Sequence, residues 1–143
     1  MSLDTGAPIR TALLAEPTIE GLLAEYQGVA GVFTKRPVPD GALYPLIIVN
    51  PDVSVTDLDG LDSDRPIVIK DVIVYGRQPD DYRVVESIGY SIRTLFHRTR
   101  FSIDVDGYDV VEITATGPRV APTDDDSTVA RVVTLTISLR ASP

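Results

Sequence analysis

The 143-residue chain contains no cysteine, no tryptophan, one methionine and one histidine. The absence of cysteine excludes disulfides, thiolate zinc sites, iron–sulfur clusters and cysteine nucleophiles. A single histidine excludes a metal site built on two histidines of one chain. The longest stretch without a charged residue, residues 41–51, has 11 residues and contains Pro45, whereas a membrane-spanning helix needs about 20. We therefore expect no metal ion and no membrane partner.

The charge of the chain is strongly acidic. Its 21 Asp and Glu outnumber 13 Lys and Arg, which gives a formal net charge of −8. Wrapping of nucleic acid is not expected, because phosphate binding favours a positive surface. A hydrophobic content of 43% is too high for a disordered chain. The length predicts a single domain over residues 1–143, and residues 1–8, MSLDTGAP, lack the basic-then-apolar order of a signal peptide.

Residues 7–27 predict two short helices, because their apolar residues recur at helical spacing. Pro17 separates the two, since the residue before a proline is pushed out of the α region. Thr18 is predicted to cap the second helix, which the pattern extends to Tyr26.

The longest helix is predicted over about residues 81–97, where six apolar residues form one stripe. Asp80 or Asp81 can cap its start. Residues 67–75 are apolar on both alternating sets of positions, which is typical of a central strand with something packed on each side. The other predicted strands are 29–34, 46–50, a hairpin over 101–115, and 129–140. Together these elements predict an α+β fold: a largely antiparallel sheet with one long helix packed on a face and two short N-terminal helices.

The predicted hairpin is centred on Asp106-Gly107, since both positions of a type I′ turn need positive φ. A two-residue turn there places Asp104 directly opposite Asp109, which is unfavourable for like charges. A longer loop, a basic side chain or ion between the two, or screening by water on an exposed face would each relieve the repulsion. We favour screening by water.

Little in the sequence indicates catalysis. His97 has Ser91 and Ser102 nearby, but no serine lies in a G-x-S-x-G turn. We interpret His97 as a helix-end residue, since positive charge suits a helix C-terminus. Glycine-rich phosphate loops are absent. We therefore expect no enzyme activity and no cofactor.

The acidic stretch 52–64 carries five Asp and no Lys or Arg. It departs from the calcium-loop pattern, because Gly60 directly follows the second Asp of the series and no Glu occupies the required place. A short strand at Val53 and Val55 is one interpretation of the stretch, and a solvated loop is the other. A negative patch that faces a partner is a further hypothesis.

Three stretches carry a family resemblance. They are IRTALLAEPTIEGLL (9–23), VFTKRPVPDGALYPLIIV (32–49) and IVIKDVIVYGRQPDDYRVVESIGYSIRTLF (67–96). Together with the hairpin and the final strand, they resemble the tail terminator, or tail completion, family of long-tailed bacteriophages and gene transfer agents. The loop at 117–127 is longer than the family pattern, and the stretch 52–64 is more acidic.

The resemblance implies a structural virion protein without covalent chemistry. Members of that family form a six-membered ring that caps the head-proximal end of the tail tube, ends tube polymerisation and joins the tail to the head connector. The implied partners are further copies of the chain in a homo-hexamer, the tail tube protein and the head–tail connector protein. Genome DNA would pass through the channel without specific binding. The implied location is the virion tail, assembled in the bacterial cytoplasm.

Seven aspartates are candidates for a lumen or an inter-ring contact in such a ring, because a negative lumen repels DNA. They are Asp57, Asp59, Asp62, Asp64, Asp124, Asp125 and Asp126. The alternatives to a terminator are another head–tail joining or tube-like subunit, or a small non-catalytic α+β binding module.

Overall fold

The structure is a computed structural model that describes residues 4–34, 38–50, 54–57, 65–99, 102–123 and 126–142, with 54–57 described by their backbone alone. Its elements in chain order are α1 Gly6–Ala15, α2 Pro17–Glu20, β1 Glu25–Tyr26, β2 Val29–Ala30, β3 Val32–Phe33, β4 Leu46–Val49, β5 Ser54–Asp57, β6 Pro66–Arg77, α3 Tyr82–Phe96, β7 Tyr108–Val120 and β8 Thr128–Ala141.

Within these ranges, six strands form one sheet in the order β3-β4-β6-β8-β7, with β5 also paired to β6. Only β3 and β4 run parallel; the other pairs are antiparallel. One edge of β6 pairs with β8 from Ile67 to Arg77, while its other edge pairs first with β5 and then with β4. The α+β class, the largely antiparallel sheet and the central position of residues 67–75 are confirmed.

All three helices bury apolar residues in one cluster on a single face of the sheet. The helix α3 contributes Val85, Ile88, Ile92 and Phe96, each with no exposed surface. Alternate residues of β6 and β8 meet them, among them Val72 and Leu135. The predicted stripe of the long helix and the predicted buried face of the last strand are therefore confirmed.

The second predicted helix is shorter than the apolar spacing indicates. It ends at Glu20, and Tyr26 lies in β1. Gln27 and Gly28, at φ 52° and 82°, form a tight turn that pairs β1 with β2, and the Tyr26 ring packs edge-on against Phe33 at 5.7 Å. The predicted cap was also wrong: Glu16 is the N-cap and accepts a hydrogen bond from the backbone N–H of Thr18 at 3.3 Å.

Asp81, one of the two residues predicted to cap α3, is its N-cap. Its side chain, however, bonds to the preceding strand. Its Oδ2 accepts a hydrogen bond from the backbone N–H of Arg77 at 2.8 Å, and its side chain makes no capping bond to the helix. The carboxylate therefore fastens the turn between β6 and α3.

Two predicted strand boundaries were wrong. The predicted strand 29–34 is divided at Gly31 into β2 and β3. The predicted loop from Gly117 begins later, because β7 continues to Val120. A register shift between Thr116 and Arg119 accommodates Gly117-Pro118 within the ladder, as expected for a bulge that admits a proline.

The predicted hairpin over 101–115 was wrong. Val105 and Tyr108 form an isolated bridge around Asp106-Gly107, but of these two residues only Gly107 has positive φ, so the turn is not the predicted type I′. Before the turn, Thr99 bridges Ile113 on the outer edge of β7 without a continuous ladder, and the other edge of β7 pairs with β8. Asp109 is consequently opposite Arg140 instead of Asp104, with 3.6 Å between its Oδ2 and Arg140 Nη2.

Candidate interaction surfaces

The predicted acidic residues lie at two distant places. Asp57 ends β5 opposite Pro66, at the start of β6. Asp126 is exposed just before β8, whose Thr128 is opposite Arg77 at the end of β6. At about 3.3 Å per residue, these ends are about 36 Å apart. Asp59, Asp62, Asp64, Asp124 and Asp125 lie outside the described residues. The described part therefore does not bring the two acidic groups together.

The solvent side of α3 is a surface that the sequence interpretation did not single out. We define the α3 face as its exposed residues after the first: Arg83, Ser87, Tyr90, Arg93 and Thr94. The face combines two cations, a tyrosine ring and two hydroxyls, and it holds no carboxylate. A helical wheel of residues 82–96 shows this stripe directly, although exposure alone does not indicate a role.

Glu86, the only acid of α3, is half-buried, with 31% of its side chain exposed, and it is engaged by a residue of the sheet. It accepts a hydrogen bond from Nε of Arg131 in a close ion pair. Arg131 is a buried residue of β8, and its Nη1 also donates to the carbonyl of Ala130 at 2.9 Å. The guanidinium lies 5.2 Å from the centre of the Tyr82 ring. Glu86 therefore neutralises a buried cation and does not compensate the charge of the α3 face.

A close approach at the middle of α3 fixes its height above the sheet. A Cβ placed on Gly89 would lie 2.8 Å from Cβ of Pro118, which is too close for any larger residue without movement. Pro118 belongs to the bulge of β7. The bulge and the missing side chain of Gly89 together seat the helix.

A shallow groove borders the α3 face where it meets α2. Its volume is about 450 Å³. The lining residues are Glu16, Thr18, Tyr90, Ser91, Thr94 and Leu95. Since Tyr90 and Thr94 belong to both, the groove and the α3 face form one continuous surface.

The turn before β7 projects a second charged feature, the acidic tip, which we define as residues 104–106. Asp104 and Asp106 are exposed, while Val105 between them is buried. Neither carboxylate forms an ion pair or hydrogen bond within the described ranges. The acidic tip is therefore anchored by an apolar residue and presents two free charges.

The face of the sheet opposite α3 combines a small apolar cluster with a row of hydroxyls. The cluster consists of Ile73, Ala121, Ala130 and Val132. Beside it, Thr134 donates a hydrogen bond to Oδ1 of Asp71 at 2.7 Å, and Arg119 donates to the Thr134 hydroxyl at 2.9 Å. These two bonds link three strands across this face.

His97 has a structural role. It is the C-cap of α3, and its Nδ1 accepts a hydrogen bond from the backbone N–H of Ala115 at 3.0 Å. The hydroxyl of nearby Ser102 bonds to that of Thr99 at 2.8 Å. The helix-end interpretation of His97 is confirmed, with the edge of β7 as its partner.

The described part of the chain contains no group of three or more His, Asp or Glu arranged to hold a metal ion. Among its helices, none has the length and apolar character needed to cross a bilayer.

No protein-family model and no curated protein sequence matches the chain. Among solved structures, the chain is similar to one chain of a structure described as "Virion of native gene transfer agent (GTA) particle". The TM-score is 0.71 over 97% of this chain and 95% of that chain, with 12% sequence identity. At this identity the likeness shows a shared fold.

Proposed function

We propose that the chain is a structural protein of a phage-like virion, and that its copies form a ring at the head-proximal end of the tail tube. The observation that carries this proposal is the shared fold with a chain of a gene transfer agent virion, which extends over nearly the full length of both chains. The sequence resemblance to tail terminators points to the same class of protein from different information.

The proposed ring ends tube polymerisation and joins the tail to the head connector. Its partners are further copies of the chain, in a homo-hexamer, the tail tube protein and the connector protein. Its location is the virion tail, after assembly in the bacterial cytoplasm. The α3 face and the acidic tip support this role, because they offer surfaces of opposite charge for contacts with other proteins.

Purified protein is expected to form six-membered rings with an open channel, either alone or on tail tubes. Light scattering over a concentration series gives the mass, and particle images of the same sample show the ring. If the protein alone is monomeric, it is incubated with tail tubes, whose further growth it is expected to stop. Failure both to form rings and to cap tubes contradicts the proposal. Binding to the connector without capping would identify another joining subunit instead.

The seven candidate aspartates are proposed to face the channel or an adjacent ring. Because a negative wall repels DNA, changing Asp57, Asp59, Asp62 and Asp64 to Asn is expected to lower the fraction of particles that deliver DNA, or to weaken the joint between rings. Delivery is measured by gene transfer per particle, and joining by counting tailed heads in images.

A second variant with Asp124, Asp125 and Asp126 changed to Asn tests the other group separately. The exposed Glu20 and Glu25, changed to Gln, show the effect of removing two negative charges elsewhere on the surface. Unchanged assembly and unchanged delivery in both Asn variants would remove this part of the proposal.

A further inference from the structure

The α3 face carries the opposite charge to the chain as a whole. On a chain of net charge −8, this surface contains Arg83 and Arg93 and no acid. An exposed arginine on a helix is commonly balanced by an acid three or four residues away. Arg93 has none at those positions. Two acids lie three residues from Arg83: Glu86 is bound to Arg131, and Asp80 forms no ion pair with Arg83 within the described ranges. The positive charge of the face is therefore available to a partner.

The composition of the α3 face is that of a protein interface. Tyrosine and arginine are enriched at the centres of such interfaces and among the residues that contribute most to binding. Tyr90 is 57% exposed at the middle of the face, and the side chains of Arg83 and Arg93 form no ion pair within the described ranges. A ring exposed to this degree gains most when a partner covers it.

A second copy of the chain supplies the complementary charge. Two copies of net charge −8 repel each other unless a positive surface meets a negative one, and the α3 face is such a positive surface. A ring also requires two different patches of the same chain to meet, since its contacts are head-to-tail. The acidic tip is a suitable second patch because Asp104 and Asp106 are exposed and unpaired within the described ranges.

We propose that the α3 face of one copy binds the acidic tip of the next copy, and that this contact closes the ring. Arg93 pairs with the carboxylates of the acidic tip, and Tyr90 packs against the turn that carries them. The groove of about 450 Å³ beside Tyr90 accommodates the projecting backbone of the turn. Its lining includes one carboxylate, that of Glu16, which accepts a hydrogen bond from the backbone N–H of Thr18. The inference rests on the proposed ring and identifies the surfaces that form it.

Charge reversal tests the contact. Arg93→Glu is expected to raise the concentration needed for half-assembly by at least about tenfold, because close interfacial charge pairs are strongly coupled. Asp104→Arg with Asp106→Arg is expected to do the same. Combining the three changes is expected to restore much of the assembly. Ring mass is measured by light scattering, in solution or on tube ends, wherever the wild-type ring forms.

Arg119→Glu is the matched control, since it makes the same change in net charge on the opposite face of the sheet. Its ring mass is expected to remain that of the wild type. Urea unfolding checks that each variant is folded, as exposed substitutions usually change stability by less than about 0.5 kcal/mol.

If the Arg93→Glu protein forms rings as readily as the wild type, the proposed contact is wrong, while the ring proposal is unaffected. Loss of rings in both reversed proteins without restoration in the combined protein would overturn the pairing of these two surfaces. A wild-type protein that forms no ring alone or on tubes would overturn the proposed function itself. Restoration confined to the combined protein would support the contact.

Discussion

Glu86→Ala is expected to lower the free energy of unfolding by about 2 kcal/mol, less than the cost of breaking a fully buried ion pair. The substitution leaves the buried guanidinium of Arg131 without its counter-charge. The cost is moderate because 31% of the Glu86 side chain is exposed and because Arg131 keeps its hydrogen bond to the carbonyl of Ala130. Urea unfolding of the monomer, monitored by circular dichroism, measures the change.

Two further proteins make this prediction specific. Glu20→Ala removes an exposed acid of α2 and is expected to change stability by less than about 0.5 kcal/mol. The double variant Glu86→Leu with Arg131→Met removes both charges and is expected to recover most of the lost stability, since apolar replacement of a buried pair is often neutral. A loss below about 1 kcal/mol in Glu86→Ala would contradict the interpretation of a buried pair.

Phe96→Ala is expected to lower the free energy of unfolding by about 3–5 kcal/mol, because it removes a fully buried ring and leaves a cavity. Phe96 is the last residue of α3, directly before the cap formed by His97. The substitution therefore removes the apolar contact that seats this end of the helix on the sheet. The change is measured from the urea concentration at the midpoint of unfolding, which reports stability when the denaturant dependence of the transition is the same in both proteins.

Ser87→Ala on the same helix is the matched control for Phe96→Ala. Ser87 is exposed, so its loss removes no buried surface and is expected to be nearly neutral. If Phe96→Ala were equally mild, the end of α3 would not be part of the core.

The main layers of the fold could be predicted because their signals are long and consistent. The stripe from Val85 to Phe96 and the alternation from Val133 to Leu139 each extend over several repeats, and both dictate burial on one side. The central position of residues 67–75 followed from apolar residues on both faces. Only one arrangement of the helix and the strands buries all of these apolar residues together.

The N-terminal hairpin could not be predicted from apolar spacing. Leu22, Leu23 and Tyr26 suit a helix, and only the positive φ of Gln27 and Gly28 reveals the turn that reverses the chain. A glutamine gives no signal for that conformation. Local spacing therefore indicated a helix where backbone geometry formed strands.

The path of β7 could be predicted only in part. Asp106-Gly107 correctly indicated a turn, but the arm before it makes only isolated bridges to the outer edge of β7, and the long ladder of β7 forms with β8 on the other edge. Gly117-Pro118 indicated a loop because proline removes a ladder hydrogen bond, and the bulge accommodates it. The ladder with β8 could not be predicted from the turn, since its partner lies later in the chain.

The candidate surfaces were only partly accessible to sequence reasoning. The exposed position of Arg93 and Tyr90 followed from the apolar stripe on the other side of the helix. The pair between Glu86 and Arg131 could not be predicted, since the two lie 45 residues apart. From the sequence alone, Glu86 would be expected to neutralise part of the positive charge of the α3 face, because its pairing with Arg131 is visible only in the structure.

The position of β8 has a consequence for the order of folding. This strand lies between β6 and β7 and pairs with both, so neither can complete its ladder before residues 128–141 have joined the sheet. The apolar sides of β6 and α3 therefore stay open until a segment more than 30 residues after α3 closes the core, and a chain in which β8 is detached exposes both surfaces at once.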